Sequence, residues 1–367
     1  MTALGIYTRY SALGASSRLR YLCYAGRLAQ SGIDAEFHML FHDDYLQALY
    51  AGRPVGFKAL RDLGRRMLGM PPREKRLWIE YELLPQVPFP VEAKFLAGRR
   101  FVLDFDDAVY LKYANHPRLA GKFERLAAQA AGVVVANDAL YEHFSAVNSN
   151  TVKIPTAVDT AALKPSAEKF PRLTLCWIGT PVTCRAHLAT VAGALKELKK
   201  SLDFDLLVIG GVQAPELDFA GVRIVPWSEE TANELLPKCH IGIMPIPAGD
   251  AFAAGKSAYK LIQYLAAGLP AVASPVGENR VVLREGGTGF FAASPEEWHA
   301  VLRKLARDAA LRAALGENAR REAGKYSRDR IFAELAAFLD KSLGLRRART
   351  EKRTCKMPRP ALYYKTC

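Results

Sequence analysis

Short apolar runs alternate with helical patterns along the chain. Leu4–Thr8 reads as a strand, followed by the small-residue loop Gly14-Ala15-Ser16-Ser17 and a helical pattern to Leu28. Ala35–Phe41, Arg100–Asp104, Gly132–Ala136 and Val152–Ile154 read as further strands, with an Ala-rich helix at 118–130 ahead of Gly132. Such runs, apolar rather than strictly alternating, fit parallel strands covered on both faces. The pattern then restarts. Leu173–Ile178, Phe204–Ile209, Val222–Val225, Ile241–Met244 and Ala271–Ala273 are strands; 185–200, 256–267, 295–305, 308–323 and 328–343 are helices. Two βα series joined by the Pro/Lys/Glu-rich stretch Thr160–Arg172 predict two α/β domains. The expected boundaries are 1–165, 166–328, a closing helix at 329–345 and a disordered tail at 346–367. In doubly wound sheets ligands bind beyond the carboxyl ends of the strands. The loops at 9–18, 104–110, 179–185, 210–214, 245–256 and 274–280 should therefore line a cleft.

The chain has 367 residues, half of them hydrophobic, enough for two cores. Its formal charge is +14, and two windows account for the whole excess. Residues 53–76 hold eight basic and two acidic side chains, and 341–367 hold nine and one. A nucleic-acid protein carries its charge on a folded reading face. A basic helical insertion at 53–76 plus a basic tail better suits an anionic membrane surface, and no nucleic-acid partner is expected. The six cysteines form no CxxC pair, and the N-terminus lacks the features of a signal peptide. No apolar run approaches the roughly 18–20 residues of a membrane span. A cytoplasmic protein, peripheral on the inner face of the membrane, is the expectation.

The most informative stretch runs from Gly255 to Ser274. It reads as a loop and helix start, a helix with Lys256 and Lys260 on its first turns, a Gly268-Leu269-Pro270 stop and a strand. A helix N-terminus suits a phosphate. Lys256 and Lys260 are four apart, so on a helix both would flank one anion, with Gln263 a turn further to meet a sugar hydroxyl. The Ala-Gly-Lys-Ser sequence at 254–257 is not a P-loop, because the required glycine at 250 is Asp250.

Lys260 through Ser274 resembles the nucleotide-sugar motif of GT-B glycosyltransferases, the retaining group 1 class (family four), which runs Lys-Leu-x-Glu-Tyr-x-Ala-x-Gly-x-Pro-x-Val-x-Ser. Trp177-Ile178-Gly179-Thr180-Pro181 resembles the first strand and loop of that class's nucleotide domain. Asn137 and Ile154–Thr160 resemble the end of its acceptor domain, and Val102–Ala108 the Asp-x-Asp-Asp-Ala element of a bacterial subgroup. The resemblance covers about residues 4–340. It implies two Rossmann-like domains facing each other across a cleft. The class's usual Glu-x7-Glu pair is replaced here by Gly255 and Gln263, leaving Gln263 as the ribose contact. Arg185 stands in for the diphosphate clamp of the first loop, with Thr180 offering a hydroxyl.

The implied reaction moves a sugar, UDP-linked before GDP-linked, to a hydroxyl of a glycan or lipid-linked acceptor in cell-surface polysaccharide synthesis. Positive charge must meet the departing diphosphate. Arg185, Lys256 and Lys260 are the candidates, with N–H groups after Gly179 and near Ala254–Ser257, Ser257 among them. No metal or cofactor is then required. Asp104, Asp106 and Asp107 are expected to bind acceptor hydroxyls, with Asp107 the outside candidate for general base. Ser16, Ser17, Arg18 and Arg20 open the first helix. By resemblance this loop meets the acceptor and the diphosphate from the opposite wall, with Ser17 on the acceptor and Arg18 on phosphate. Glu80 and Glu82 fit the acceptor site or an ordinary strand edge, and His116 and His187 fall near cleft loops. No histidine has a Ser or Cys partner in a nucleophile motif, which disfavours covalent catalysis. Resemblance implies retention of anomeric configuration by front-face attack. A dehydrogenase is disfavoured by the lack of GxGxxG. A sugar-nucleotide epimerase of the same fold and a basic membrane- or nucleic-acid-binding module are the other readings.

Overall fold

A computed structural model describes residues 4–345 except 248, 250, 251, 253 and 254. The basic tail at 346–367 lies outside the described residues. The chain divides into two compact units. One holds the described residues through Thr156 and from Ile331 onward; the other is Ala157–Arg330.

The first unit carries six parallel strands: β1 (Leu4–Tyr10), β2 (Ala35–Phe41), β3 (Arg76–Glu80), β4 (Arg100–Phe105), β5 (Gly132–Val135) and β6 (Thr151–Lys153). Their order is β2-β1-β3-β4-β5-β6. Leu4 lies opposite Ala35 on one side and Arg76 on the other, and Asp104 lies opposite Glu80. The chain goes outward from β1 to β2, then returns to β3 on the other side. The crevice at the carboxyl ends of β1 and β3 is thus this sheet's topological switch point.

β3 was not among the strands read from the sequence. The dense basic residues before it suggested a helical insertion reaching residue 76, but the helix covers only Gly56–Leu68. Leu77, Trp78 and Ile79 are fully buried, and covering each contributes about 1.5–3 kcal/mol. Glu80 therefore ends an interior strand, not an edge.

The helix Arg328–Leu343 joins this unit from Ile331 on. The Phe332 ring packs tilted against Tyr24, centroids 5.4 Å apart, and Arg76 and Arg100 donate to the carbonyls of Leu343 and Ser342. Cations at a helix C-terminus satisfy its last carbonyls and oppose its dipole. A side chain at Gly132 would fall 2.6 Å from the Phe338 ring, so β5 opens on glycine beneath this helix.

The second unit has strands β7 (Thr174–Ile178), β8 (Asp205–Ile209), β9 (Val222–Val225), β10 (Ile241–Met244), β11 (Ala271–Ala273) and β12 (Gly289–Phe291). All are parallel, in the order β12-β11-β10-β7-β8-β9, with the switch point between β7 and β10. The three-residue β12, which opens on Gly289, gave no apolar run to read. Trp177, Leu195, Trp298 and Leu302 share one core layer, and Leu261, Tyr264, Leu265, Ala319 and Ala323 the other. The stretch expected to link the domains packs within this unit. Leu163 is buried, Arg320 donates to the carbonyls of Thr160 and Leu163, and Lys169 donates to those of Pro237 and Cys239. No described helix is long and apolar enough to cross a membrane.

Candidate functional site

In the second unit β7 runs into Gly179 and Thr180. A Cβ at Gly179 would lie 2.4 Å from the Trp177 ring and 3.0 Å from Cε of Lys260. The missing side chain is what lets Lys260 cross the end of β7, its Nζ 5.2 Å from the centre of the Trp177 ring. Gly210, at φ 75°, presses as closely: a Cβ there would meet the Gly179 carbonyl oxygen at 2.3 Å. Two strand ends thus meet with bare backbone, the arrangement that lets a ligand approach the main chain.

Thr180 caps the helical segment that follows. Its hydroxyl accepts from the Thr183 N–H, and Thr183 Oγ1 accepts from the Thr180 N–H at 3.2 Å, a capping box. The segment continues through a wide π turn at Cys184–Leu188 into Ala189–Ser201. Arg185 is exposed in that turn; His187 is buried in it. Such turns recur at functional sites.

The lysines depart from the sequence reading. The helix begins at Tyr259, after Ala258 in the left-handed conformation at φ 51°. That backbone costs an alanine about 1–2 kcal/mol, and it keeps Lys256 off the helix. The expected helical i,i+4 pairing of Lys256 with Lys260 is therefore not formed. Lys256 instead sits in the preceding turn, its Nζ 4.9 Å from the centre of the Phe252 ring. Ser257, Lys260 and Gln263 are half-buried, and Leu261, Ile262 and Tyr264 hold the helix to the core. Ala254 lies outside the described residues.

At the switch point of the first unit, charge is dense and paired. Ser17 Oγ accepts from the Tyr10 N–H at 2.9 Å and donates to Glu80 at 2.5 Å. Glu80 also accepts from the Arg9 N–H at 2.7 Å, while its Oε1 is buried with no hydrogen-bond partner among the described residues. Burial raises its pKa. Arg20 binds Asp104 through Nε at 2.8 Å and Nη2 at 2.6 Å, and Trp78 donates to the other Asp104 oxygen. Ser17 and Asp104, expected at the acceptor, are thus buried and engaged within the fold. Arg18 donates to the Ala12 and Leu13 carbonyls of its own loop, and Ser16 is half-buried beside it.

Asp106 and Asp107 are half-buried beyond the end of β4. The Tyr81 hydroxyl donates to Asp106, and Tyr81 itself is left-handed at φ 61°. Burial, then the neighbouring Asp107, pushes the Asp106 pKa up to about 8. His116 is exposed in a turn, where Nδ1 accepts from the Arg118 N–H.

Sequence reading missed a second layer beneath. Lys122, fully buried, reaches Glu82 and Glu92 at 2.7 Å each and the Leu84 carbonyl at 2.7 Å. Glu82 also accepts from the Tyr113 hydroxyl at 2.9 Å and meets Arg9 at 3.5 Å. Burial raises the Glu92 pKa to about 7. The alternation of the surrounding apolar residues carries no sign of this layer, because its members come from four distant segments. Among the described residues, three potential metal ligands converge only at Glu36, His38 and Glu74, whose donor atoms lie within 4.8 Å of one another. There Glu74 accepts from the Tyr7 hydroxyl at 3.1 Å and lies 2.9 Å from His38 Nε2.

Residues 172–308 match the family model described as "Glycosyl transferases group 1", the class expected from Lys260–Ser274. No curated protein matches the sequence. Solved structures similar in fold include HepE of Anabaena in complex with UDP-glucose (TM-score 0.67, 14% identity, covering 92% of this chain and 99% of that one). Another is the sucrose-phosphate synthase of Thermosynechococcus elongatus (TM-score 0.64, 13% identity, 93% and 99% covered). A third is a glycosyltransferase from Rickettsia africae (TM-score 0.65, 13% identity, 93% and 99% covered). The fold is α/β of the GT-B type, with two parallel six-stranded sheets.

Proposed function

We propose that the chain is a retaining glycosyltransferase that moves a sugar from a nucleoside diphosphate, UDP first, to a hydroxyl of a glycan or lipid-linked acceptor in cell-surface polysaccharide synthesis. One observation carries the reading: Lys260 lies across Gly179 at the switch point of the unit whose residues 172–308 match the group 1 model. The bound UDP-glucose named for the similar HepE structure supports the choice of donor.

In the reaction the bond between the anomeric carbon and the β-phosphate oxygen breaks as the acceptor oxygen bonds to that carbon from the same face. The departing diphosphate takes the acceptor's proton. Lys260, Lys256 and Arg185 supply the positive charge this leaving group needs, which makes a metal unnecessary. The N–H groups about Thr180 and Ser257 add dipoles, and Gln263 binds the ribose. On the acceptor side, Asp107 and Asp106 meet hydroxyls. Arg20 and Ser17 hold Asp104 and Glu80 in place beneath them, and Arg18 keeps the β1 loop closed.

Thermal-shift titration with UDP-, GDP-, ADP- and TDP-sugars tests this. A UDP-sugar should raise the melting temperature of the wild type. Lys260→Ala should weaken that nucleotide about 10–100-fold, the loss of a charge-assisted contact of about 1.5–3 kcal/mol. Absence of any shift across all four nucleotides would sink the reading.

A further inference from the structure

The helix Gly56–Leu68 is inside out. A surface helix turns its apolar stripe to the core and its charges to water. Here Asp62 and Arg66 face inward at 2% and 8% exposure, while Phe57, Leu60 and Leu68 are 82%, 70% and 90% exposed. Met67 is exposed as well. At 3.6 residues per turn, Phe57, Leu60, Gly64, Met67 and Leu68 fall within an arc of about 100°. Arg61, Arg65 and Lys58 occupy the next arc, so a basic band borders the apolar stripe along one side.

The inward face explains how the chain holds this orientation. Arg66 donates to the carbonyls of Thr8, His38 and Leu83 and lies over the Tyr7 ring. It thus fastens the helix to the later part of β1, to the middle of β2 and to the segment after β3. Asp62 accepts from Arg61, and Asp44 of the neighbouring helix Asp43–Tyr50 takes Lys58 and Arg61 at 2.8 and 3.1 Å. Arg65, two-thirds exposed, reaches Asp62 only at 3.9 Å, and Arg53 is exposed just ahead of the helix, so both can turn to an outside anion.

We propose that this helix docks the protein on an anionic lipid bilayer, with Phe57, Leu60 and Leu68 in the headgroup–acyl boundary and Arg53, Arg65, Lys58 and Arg61 at the phosphates. Amphipathic helices with this division of faces lie in that plane, and anionic headgroups complement the basic border. The segment 346–367, with Glu351 its only acid, carries the same sign of charge as the band beside the stripe. Fastening through Arg66 to Thr8 and Leu83 sets the docked helix beside the strand ends that carry Arg9 and Glu80. A hydroxyl carried on a lipid would arrive there from the membrane plane. That last step rests on the proposed glycosyl transfer; the docking does not.

The test is co-sedimentation of the full chain with phosphatidylcholine vesicles, with and without phosphatidylglycerol. Wild type should bind only the anionic vesicles and release as salt is raised. The exposed triple change Phe57→Ser, Leu60→Ser and Leu68→Ser should weaken binding at least about a hundredfold. Arg53→Glu with Arg65→Glu should weaken it about tenfold. Unchanged UDP-sugar thermal shifts in both variants separate loss of docking from loss of the fold or of donor binding, and a nucleotide failure with intact docking would indict only the transferase reading. No binding by wild type would overturn the proposal. So would binding that survives the triple change but is lost on deleting 346–367, or a dimer in sedimentation that the triple change dissociates.

Discussion

The two switch points handle charge in opposite ways. In the first unit several charged side chains near the ends of β1, β3 and β4 are committed to one another, Arg20 to Asp104, Lys122 to Glu82 and Glu92, and Arg9 to Glu82, while Glu80 and Asp106 are held by hydroxyls. In the second unit the ends of β7 and β8 are Gly179 and Gly210, and the cations Arg185, Lys256 and Lys260 come from flanking turns and a helix start. Under the proposed transfer, a site for a neutral hydroxyl gains from fixed dipoles held within the fold. Under the same proposal, a site for a doubly charged leaving group gains from cations beside bare backbone. Substitutions in the first should be felt chiefly in stability, and in the second chiefly in nucleotide affinity.

The sharpest test is Lys122→Met. It leaves Glu82 and Glu92 buried with no cation between them, and breaking such a pair costs about 3–5 kcal/mol. Urea denaturation should show that loss, and a cost under about 1 kcal/mol would mean the carboxylates simply protonate. Gly179→Ala tests the other region at its most crowded point. The new methyl would meet the buried Trp177 ring and displace Lys260. Overpacking of this kind costs about 1–3 kcal/mol, and here it should also weaken UDP-sugar binding. A variant with full nucleotide affinity would show that the crossing of Lys260 is incidental.

The same division decides what could be read from the sequence. Residues of the second unit's site are local: Gly179 and Thr180 follow an apolar strand, and Lys260 through Ser274 is one continuous stretch. The helix start was nonetheless misplaced, because nothing about Ala258 signals the left-handed backbone that leaves Lys256 outside. The first unit's network joins residues far apart in the chain: Arg20 and Asp104 are 84 positions apart, and Arg20 and Thr156 136. Pairing at that range follows from strand order. With β3 unread, Glu80 had no place beside β1 and its hydrogen bond from Ser17 could not be anticipated. Nothing in the sequence marks Lys122, Glu92 or Arg66 as buried, because their burial is set by tertiary packing alone.

A smaller effect separates the regions by pH. The folded Asp106 carboxyl keeps its proton up to about pH 8, while an unfolded aspartate releases it near pH 3.9. The folded state therefore binds more protons across that range, and stability falls as pH rises through it, levelling above 8. Glu92, at about 7, contributes to the lower part of the slope. Asp106→Asn should flatten the part between about pH 7 and 8, measured by urea midpoints. A wild-type slope there that survives the substitution would assign the proton elsewhere.

The smallest expected effect concerns Gln263, half-buried one turn beyond Lys260. The resembling class has glutamate at this position, where a carboxylate accepts from ribose hydroxyls. An amide oxygen makes a neutral hydrogen bond worth about 0.5–1.5 kcal/mol, a carboxylate one about 1.5–3. Gln263→Ala should then weaken UDP about three- to tenfold, and Gln263→Glu should tighten it by a similar factor. The diphosphate repels a new negative charge, but Lys260 on the adjoining turn offsets it. Isothermal titration with UDP and with uridine distinguishes the two terms, since uridine has no phosphate to repel. If Gln263→Glu weakens uridine as well as UDP, the side chain does not face the ribose. The comparison would then hold only for the phosphate end of the second site.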